Sequence, residues 1–365
     1  MNVITFGTDA KAFEEHSDMR ARLREYASLC DELHVIVLCR NGGFRSFVEG
    51  NLHVYPTNSR VIFWALIDGY KYAKKIITDK KFNRSEALIS CQDPFEIGLL
   101  GLIVAKFFGC KLQLQLHTDF RNKFFIFESI KNFLRAIIAT HILQFADNVR
   151  VVSKLLRTKM LAQKFHHVDA KKITILPIWV DVGQIKNLET SINLSALYPD
   201  FSFFIVVVSR LTREKNIGAA VKAIKKINKL HPEVALIVVG SGPEECVLRG
   251  FNFIEVVGWT DEPAQYIKAA DIFLNTSNYE GYGRTLVEAA AAGTPIVTTD
   301  VGVARELVEN KKTGFIVPVG DQAALETALL DVIEKRITLS TPSVEGISKQ
   351  TYLEQYRAAW ESCWG

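Results

Sequence analysis

Two glutamates eight positions apart, Glu280 and Glu288, bracket a turn with two glycines, Gly281-Tyr282-Gly283, and a helix-forming run, Arg284-Thr285-Leu286-Val287 followed by Ala289–Ala292. A helix opening near Gly283 to Thr285 has free N–H groups that can receive phosphate oxygens. Glu280 stands before that helix, within reach of a ligand lying over the turn. Glu288 can accept hydrogen bonds from sugar hydroxyls, or it is an ordinary solvent-facing helix residue. Upstream, the apolar run Phe203–Val208 leads into Ser209-Arg210-Leu211-Thr212-Arg213-Glu214-Lys215-Asn216. There Arg210 and Lys215 can hold a pyrophosphate between two cations, or form a solvated charged turn. A glycine turn with Gly240, in Val238-Val239-Gly240-Ser241-Gly242-Pro243, lets backbone approach a ligand. His117 ends another apolar run, with Asp119 two positions on.

These groups need a scaffold that brings loop ends together. Short apolar runs alternate with amphipathic segments along the whole chain, as βα units around parallel sheets do. In the first half, strands are expected near Asn2–Phe6, Glu32–Leu38, His53–Pro56, Ala87–Cys91, Lys111–His117, Asn148–Val152 and Ile173–Pro177. Helices lie between them, including Met19–Ser28, Val61–Thr78 and Phe95–Phe108. The alternation restarts at Phe203–Val208 and continues through Ala235–Val239, Phe253–Val257, Ile272–Asn275, Pro295–Thr298 and Gly314–Val317. Between the halves the polar stretch Asp181–Asp200 reads as a linker. The expectation is an α/β fold of two Rossmann-like, doubly wound domains, residues 1–182 and 183–345. They face each other across a cleft at the carboxyl ends of their strands. A last helix, within 346–365, carries Tyr352, Tyr356 and Trp360 on one face and is expected to cross back to the first domain.

Taken in order, these motifs resemble the retaining glycosyltransferases of family 4. Glu280 and Glu288 match that family's E-x7-E element and Ser209–Asn216 its diphosphate loop. Gly258-Trp259-Thr260-Asp261 through Ala270-Asp271-Ile272-Phe273-Leu274, Gly293-Thr294-Pro295-Ile296-Val297 and Gly314-Phe315-Ile316-Val317 complete the pattern. The match is strong from about residue 203 to 322. It is traceable earlier through His117-Thr118-Asp119 and Ala146–Ser153.

The resemblance implies a GT-B architecture, with the acceptor bound by the first domain and a nucleoside-diphosphate sugar mainly by the second. Arg210 and Lys215 would neutralise the donor diphosphate, Glu288 would hold the ribose hydroxyls, and Glu280 would lie beside the transferred sugar. Gly281, Tyr282, Gly283, Arg284, Thr285 and Gly240 would line the sugar and phosphates, and Val257 and Trp259 would meet the base. His117 would touch the donor sugar across the cleft. On the acceptor side stand Gly7, Asp119 and Arg20, although Ser17, Arg20 and Arg22 equally suit a helix cap and a charged helix face. Two departures fall on that side: Phe6-Gly7-Thr8-Asp9-Ala10 has one glycine where the family often has a pair, and Leu176–Asp181 replaces the usual asparagine–glycine.

The chemistry implied is transfer of a sugar with retention, without cofactor or metal. No paired carboxylates of convincing metal spacing stand near these loops, and Arg210, Lys215 and the helix N-terminus supply fixed positive charge for the departing diphosphate. A nucleotide-sugar epimerase of similar architecture and a non-catalytic nucleotide-sugar-binding protein are the alternatives.

Composition bounds the remaining choices. The chain has 365 residues and a formal net charge of +4. Residues 1–185 hold 26 Lys+Arg against 18 Asp+Glu, or +8, and the remainder hold 18 against 22, or −4. A basic first half fits an anionic partner such as a lipid-linked phosphate or membrane surface. The clusters Lys71, Lys74, Lys75, Lys80, Lys81 and Arg84 after Phe63 and Trp64, and Lys123, Lys131 and Arg135 among Phe124, Phe125 and Phe127, can dock on an anionic leaflet or be the outer faces of packed helices. No nucleic-acid motif is present. Six scattered cysteines without a CxxC, and no leader-like start or membrane-spanning run, point to a cytoplasmic chain, possible as a peripheral protein on the inner membrane face. The acceptor expected is a growing glycan or lipid-linked glycan for surface polysaccharide assembly.

Overall fold

The computed structural model describes residues 1–82, 86–162 and 168–365. The chain divides into two units, Met1–Pro177 with Lys349–Gly365, and Ile178–Ser348. Arg84 of the basic cluster lies outside the described residues.

Among the described residues, the first unit is built on eight strands: β1 (Asn2–Gly7), β2 (Glu32–Val37), β3 (Phe47–Glu49), β4 (Leu52–Pro56), β5 (Ala87–Cys91), β6 (Lys111–Leu116), β7 (Asn148–Val151) and β8 (Ile173–Ile175). Their order is β3-β4-β2-β1-β5-β6-β7-β8, parallel except for β3, which runs antiparallel to β4. Three residues carry no period, so β3 is invisible to pattern reading; its one signal is the Glu49-Gly50-Asn51 turn, where Gly50 adopts φ +60°. The helix Asp18–Ala27 begins where Ser17 Oγ accepts the Arg20 N–H at 3.1 Å.

β6 alternates Leu112, Leu114 and Leu116 on one face with Gln113 and Gln115 on the other, and both glutamines are buried. Buried amides need partners, and the last helix, Lys349–Glu361, supplies them. Gln113 Nε2 donates to the Ala359 carbonyl at 2.7 Å and Gln115 Nε2 to the Tyr356 hydroxyl at 3.2 Å. The buried Arg150 guanidinium donates to the Tyr352 hydroxyl at 3.2 Å and lies 4.6 Å from the Tyr356 ring centroid. Tyr352, Tyr356 and Trp360 are all buried, with Tyr26 stacked on Tyr356 at 4.3 Å. This helix is part of the first unit although it follows the second in sequence.

The second unit has six parallel strands: β9 (Phe203–Val208), β10 (Val234–Val239), β11 (Ile254–Gly258), β12 (Ile272–Asn275), β13 (Ile296–Thr299) and β14 (Gly314–Val317), in the order β11-β10-β9-β12-β13-β14. The continuous apolar run of β9 is what a strand covered on both faces requires: Ile205 and Val207 enter one core layer, while Phe204, Val206 and Val208 enter the other.

The stretch Asp181–Asp200 is not a linker. It forms the short helices Val182–Lys186 and Leu194–Leu197, and Val180, Val182 and Leu194 are buried in the core layer that holds β9 and the helix Arg284–Ala292. For the same reason the unit boundary falls after Pro177 rather than after residue 182. Three well-spaced apolar side chains among polar ones are enough to dock such a segment, and too few to show a period.

Candidate active site

β9 and β12 are neighbours, but the chain leaves β9 toward β10 and leaves β12 toward β13. Their following loops therefore diverge, opening a crevice at the carboxyl edge of the sheet, the usual ligand position in such folds. The loop after β9 is Ser209–Asn216 and the loop after β12 is Thr276–Gly283.

Hydrogen bonds join the two loops. Thr276 Oγ1 donates to the Lys215 and Asn216 carbonyls at 3.0 and 3.1 Å, the Asn278 N–H donates to the Glu214 carbonyl at 2.7 Å, and Asn216 Nδ2 donates to Asn278 Oδ1 at 3.2 Å. Across this join the Lys215 ammonium contacts Glu280 Oε1, both side chains being largely buried. The same carboxylate oxygen accepts from Ser277 Oγ at 2.9 Å, and Ser277 Oγ lies 2.7 Å from Asn275 Oδ1. Ser277, Thr276 and Asn278 were not singled out from the sequence; the polar run Asn275-Thr276-Ser277-Asn278 directly after an apolar strand was the available signal. Among the described residues, the buried hydroxyls Ser209 Oγ and Thr212 Oγ1 have no hydrogen-bond partner, leaving bonding capacity in the cationic loop.

Arg210 stands apart from this pair. Its side chain is exposed and its guanidinium meets Glu214 Oε1 at 3.2 Å. Gly240 closes the turn after β10 at φ +132°, and a Cβ there would lie 1.9 Å from the Ser209 carbonyl oxygen. It thus allows the diphosphate-type loop to pass directly over the neighbouring strand end.

Gly283, at φ +86°, is the residue before the helix Arg284–Ala292, and no side chain among the described residues caps that helix start. Within the helix, Glu288 is buried rather than solvent-facing, because Ala289, Ala290 and Ala291 bring the helix close against the core. Burial pushes its carboxyl pKa up, and Arg284, whose Nε donates to Glu288 Oε1 at 2.8 Å, opposes that shift. Arg284 and Glu288 line a pocket of about 280 Å³ together with Asp181, Gln184, Asp261 and Glu262. Part of that lining, Asp181, Gln184, Ile185 and Leu188, comes from the segment read as a linker, so the sequence could not show it. Trp259 is largely exposed and is not among the lining residues, while Val257 packs against the core. Gly281 is buried, Thr285 half-buried, and the Tyr282 carbonyl accepts the Val303 N–H at 2.8 Å.

In the first unit, His117 follows β6, and its Nε2 lies 3.1 Å from Gln115 Oε1. Arg150 can only donate, and its Nη1 reaches the same Oε1 at 2.9 Å, so that atom is the amide oxygen and His117 Nε2 carries the proton. Burial, then the charges of Arg150 and Arg22, push the imidazole pKa down to about 3. Asp119 is buried and accepts from Lys159 Nζ at 2.6 Å. Arg20 is engaged by Glu49 at 3.1 Å and by the Phe47 ring at 4.0 Å, and Gly7 ends β1.

Two doubly wound parallel-sheet units, the second with a cationic loop and an open helix start at its switch point, define a GT-B glycosyltransferase fold. Residues 196–349 match the family described as glycosyl transferases group 1. It is 28% identical over 244 residues to alpha-monoglucosyldiacylglycerol synthase of Acholeplasma laidlawii, a match covering 60% of this chain and 60% of that protein. With UDP-Gal:alpha-D-GlcNAc-diphosphoundecaprenol alpha-1,3-galactosyltransferase of Escherichia coli it shares 25% identity over 346 residues, 87% of this chain and 85% of the other. The structure of Anabaena HepE in complex with UDP and glucose superposes with a TM-score of 0.66 at 18% identity, over 99% of this chain and 93% of that one.

Proposed function

We propose that the protein is a retaining, metal-independent glycosyltransferase that moves a sugar from a uridine-diphosphate donor to a hydroxyl of a lipid-linked or glycan acceptor in surface glycoconjugate synthesis. The observation that carries this reading is the Lys215–Glu280 pair at the switch point, adjoining the helix that bears Glu288. The uridine is taken from the named donor of the galactosyltransferase relative and the ligand of HepE.

The chemistry breaks the anomeric C–O bond. The electron pair leaves on the diphosphate, positive charge develops on the sugar ring, and the acceptor oxygen attacks the same face while its proton passes to the departing phosphate. Lys215 and the uncapped N–H groups of Arg284–Ala292 face the growing negative charge, and the Glu280 carboxylate beside Lys215 faces the growing positive charge. One ion pair thus matches both poles of the transition state, which is the efficient use of preorganised charge. Glu288 in its pocket accepts from the ribose hydroxyls. Arg210, exposed on the same loop, swings from Glu214 to the diphosphate.

No helix of the described residues is long and apolar enough to cross a membrane. A peripheral contact is supported by the first unit, where Phe127 and Ile130 are 82% and 81% exposed and Phe133 and Leu134 are also exposed. Lys123 and Lys131 lie beside them in sequence. Apolar side chains flanked by cations suit an anionic leaflet holding a lipid-linked acceptor.

The test is calorimetric titration with UDP, GDP, ADP and dTDP in EDTA, alongside the Arg210→Ala/Lys215→Ala double variant. UDP binding in the micromolar range that the variant loses supports the reading. Binding by none of the four, or equal binding by the variant, overturns the site.

A further inference from the structure

A second cluster with chemical capacity lies in the first unit, at the edge of the sheet where the parallel strands begin. The carboxyl edge, with Gly7 and His117, is the opposite end. β2 and β4 pair in parallel with His34 opposite His53, and Glu32 precedes His34 by two residues, so all three side chains project from one face. We propose that Glu32, His34 and His53 form a binding site for a divalent transition-metal ion of the zinc class, separate from the sugar-transfer chemistry.

Each of the three residues offers a ligand atom, and these atoms lie within 4.8 Å of one another. Glu32 Oε2 and His34 Nε2 are 2.9 Å apart. Two ligands at about 2.1 Å from one ion are separated by roughly that distance when they subtend about 90°. The imidazole rings of His34 and His53 are stacked with centroids 4.5 Å apart, which places the second ring beside the first pair. His34 Nδ1 is 3.2 Å from the Tyr55 hydroxyl. With Nδ1–H donating to that oxygen, Nε2 presents its lone pair toward Glu32, the outer-shell arrangement that orients metal-binding histidines. Two imidazoles and one carboxylate select zinc-class ions over calcium or magnesium.

Three further features bear on the site. His34 is fully buried, with the Phe82 ring set edge-on and its centroid 5.4 Å from the imidazole centroid, so its side chain is held in place before any ion binds. Burial pushes the pKa of both histidines down, His34 to about 4, so both are neutral and ligand-competent near neutral pH. No hydrogen bond satisfies the His53 ring among the described residues. Against these stands Lys80, whose ammonium lies 2.8 Å from Glu32 Oε1. It occupies the other carboxylate oxygen, leaving Oε2 for an ion, and its charge weakens binding without blocking it.

The test uses the full chain, stripped with EDTA and dialysed, then titrated with Zn²⁺ against a chromophoric chelator, and separately with Co²⁺ to read the visible bands of a coordinated ion. One equivalent is expected to bind the wild type, with a 10- to 100-fold loss, by order of magnitude, in His53→Ala and in Glu32→Gln. His53 is half-buried, so its truncation spares the core, and circular dichroism verifies the fold. His231→Ala, in the other unit, is expected to bind as the wild type does. Removing Lys80 by Lys80→Ala is expected to tighten binding. Equal Zn²⁺ affinity in the wild type and His53→Ala, or no Co²⁺ bands from the wild type, overturns the proposal.

Discussion

The Lys215 ammonium meets the Glu280 carboxylate across two loops that lie 65 residues apart in the chain and adjoin because β9 and β12 are neighbours. Each group holds the other in a largely buried place, and Ser277 anchors the same carboxylate oxygen. The pair therefore fixes where opposite charges stand relative to a ligand at the switch point. Its two members are expected to fail differently when removed.

Lys215→Ala removes the cation proposed to face the departing diphosphate. Transfer is expected to drop by about 100-fold or more, roughly 3 kcal/mol of transition-state stabilisation. Steady-state kinetics with the UDP-sugar donor check this, and unchanged kcat/KM would take Lys215 out of the site.

Glu280→Gln keeps the shape and the Ser277 contact while removing the negative charge. Turnover is expected to fall with little change in UDP affinity, since the carboxylate is proposed to act on the sugar and not on the nucleotide. An equal loss of UDP binding by calorimetry would contradict that placement.

Glu288→Gln is expected to weaken UDP binding by about 10-fold, the scale of one charge-assisted hydrogen bond. Stability should behave oppositely. Burial raises the folded-state pKa of Glu288, so this group lowers stability as pH rises from the unfolded carboxylate pKa through the folded one. The Gln variant should lack that decline, and its thermal midpoint near neutral pH should be no lower than that of the wild type.

On the proposed mechanism, in which fixed cations and helix N–H groups do the work of a bound ion, transfer is expected to proceed at an unchanged rate in excess EDTA. A strict requirement for added Mn²⁺ or Mg²⁺ would refute this. Loss of Zn²⁺ from the first unit should leave the rate unchanged.

His231 lies between Glu233 and Glu334, 3.2 Å from each, and these hydrogen bonds raise its pKa. A raised folded-state pKa stabilises fully below the unfolded value of about 6.5, and the effect is lost as pH climbs through the folded value. His231→Gln should therefore lower the melting temperature more at about pH 6 than at about pH 9. The effect should be modest, since the pair is near the surface and screened. An identical loss at both pH values would rule the linkage out.

Much of the architecture was legible from the chain because its signals are local. The runs Phe203–Val208 and Gly314–Val317 mark β9 and β14 to the residue, and the glycine turn before Arg284 marks the helix start. The segment 181–200 was misread because its anchors, Val182 and Leu194, are single apolar residues whose value depends on a core built elsewhere. β3 was missed because three residues show no period. For Glu288, the bland reading as a solvent-facing residue fails only once the alanine face is seen pressed against the sheet.

By itself the sequence determined the order of βα units, the loops that carry Lys215, Glu280 and Glu288, and the family they resemble, since periodicity and turn chemistry are properties of neighbouring residues. Tertiary structure decided the rest. It paired Lys215 with Glu280, buried Glu288 in a pocket walled by a supposed linker, and laid the last helix over Gln113, Gln115 and Arg150 of the first unit. It also set His53 beside His34 on adjacent strands. Each of these depends on strand order and register between segments far apart in the chain, which no local pattern encodes.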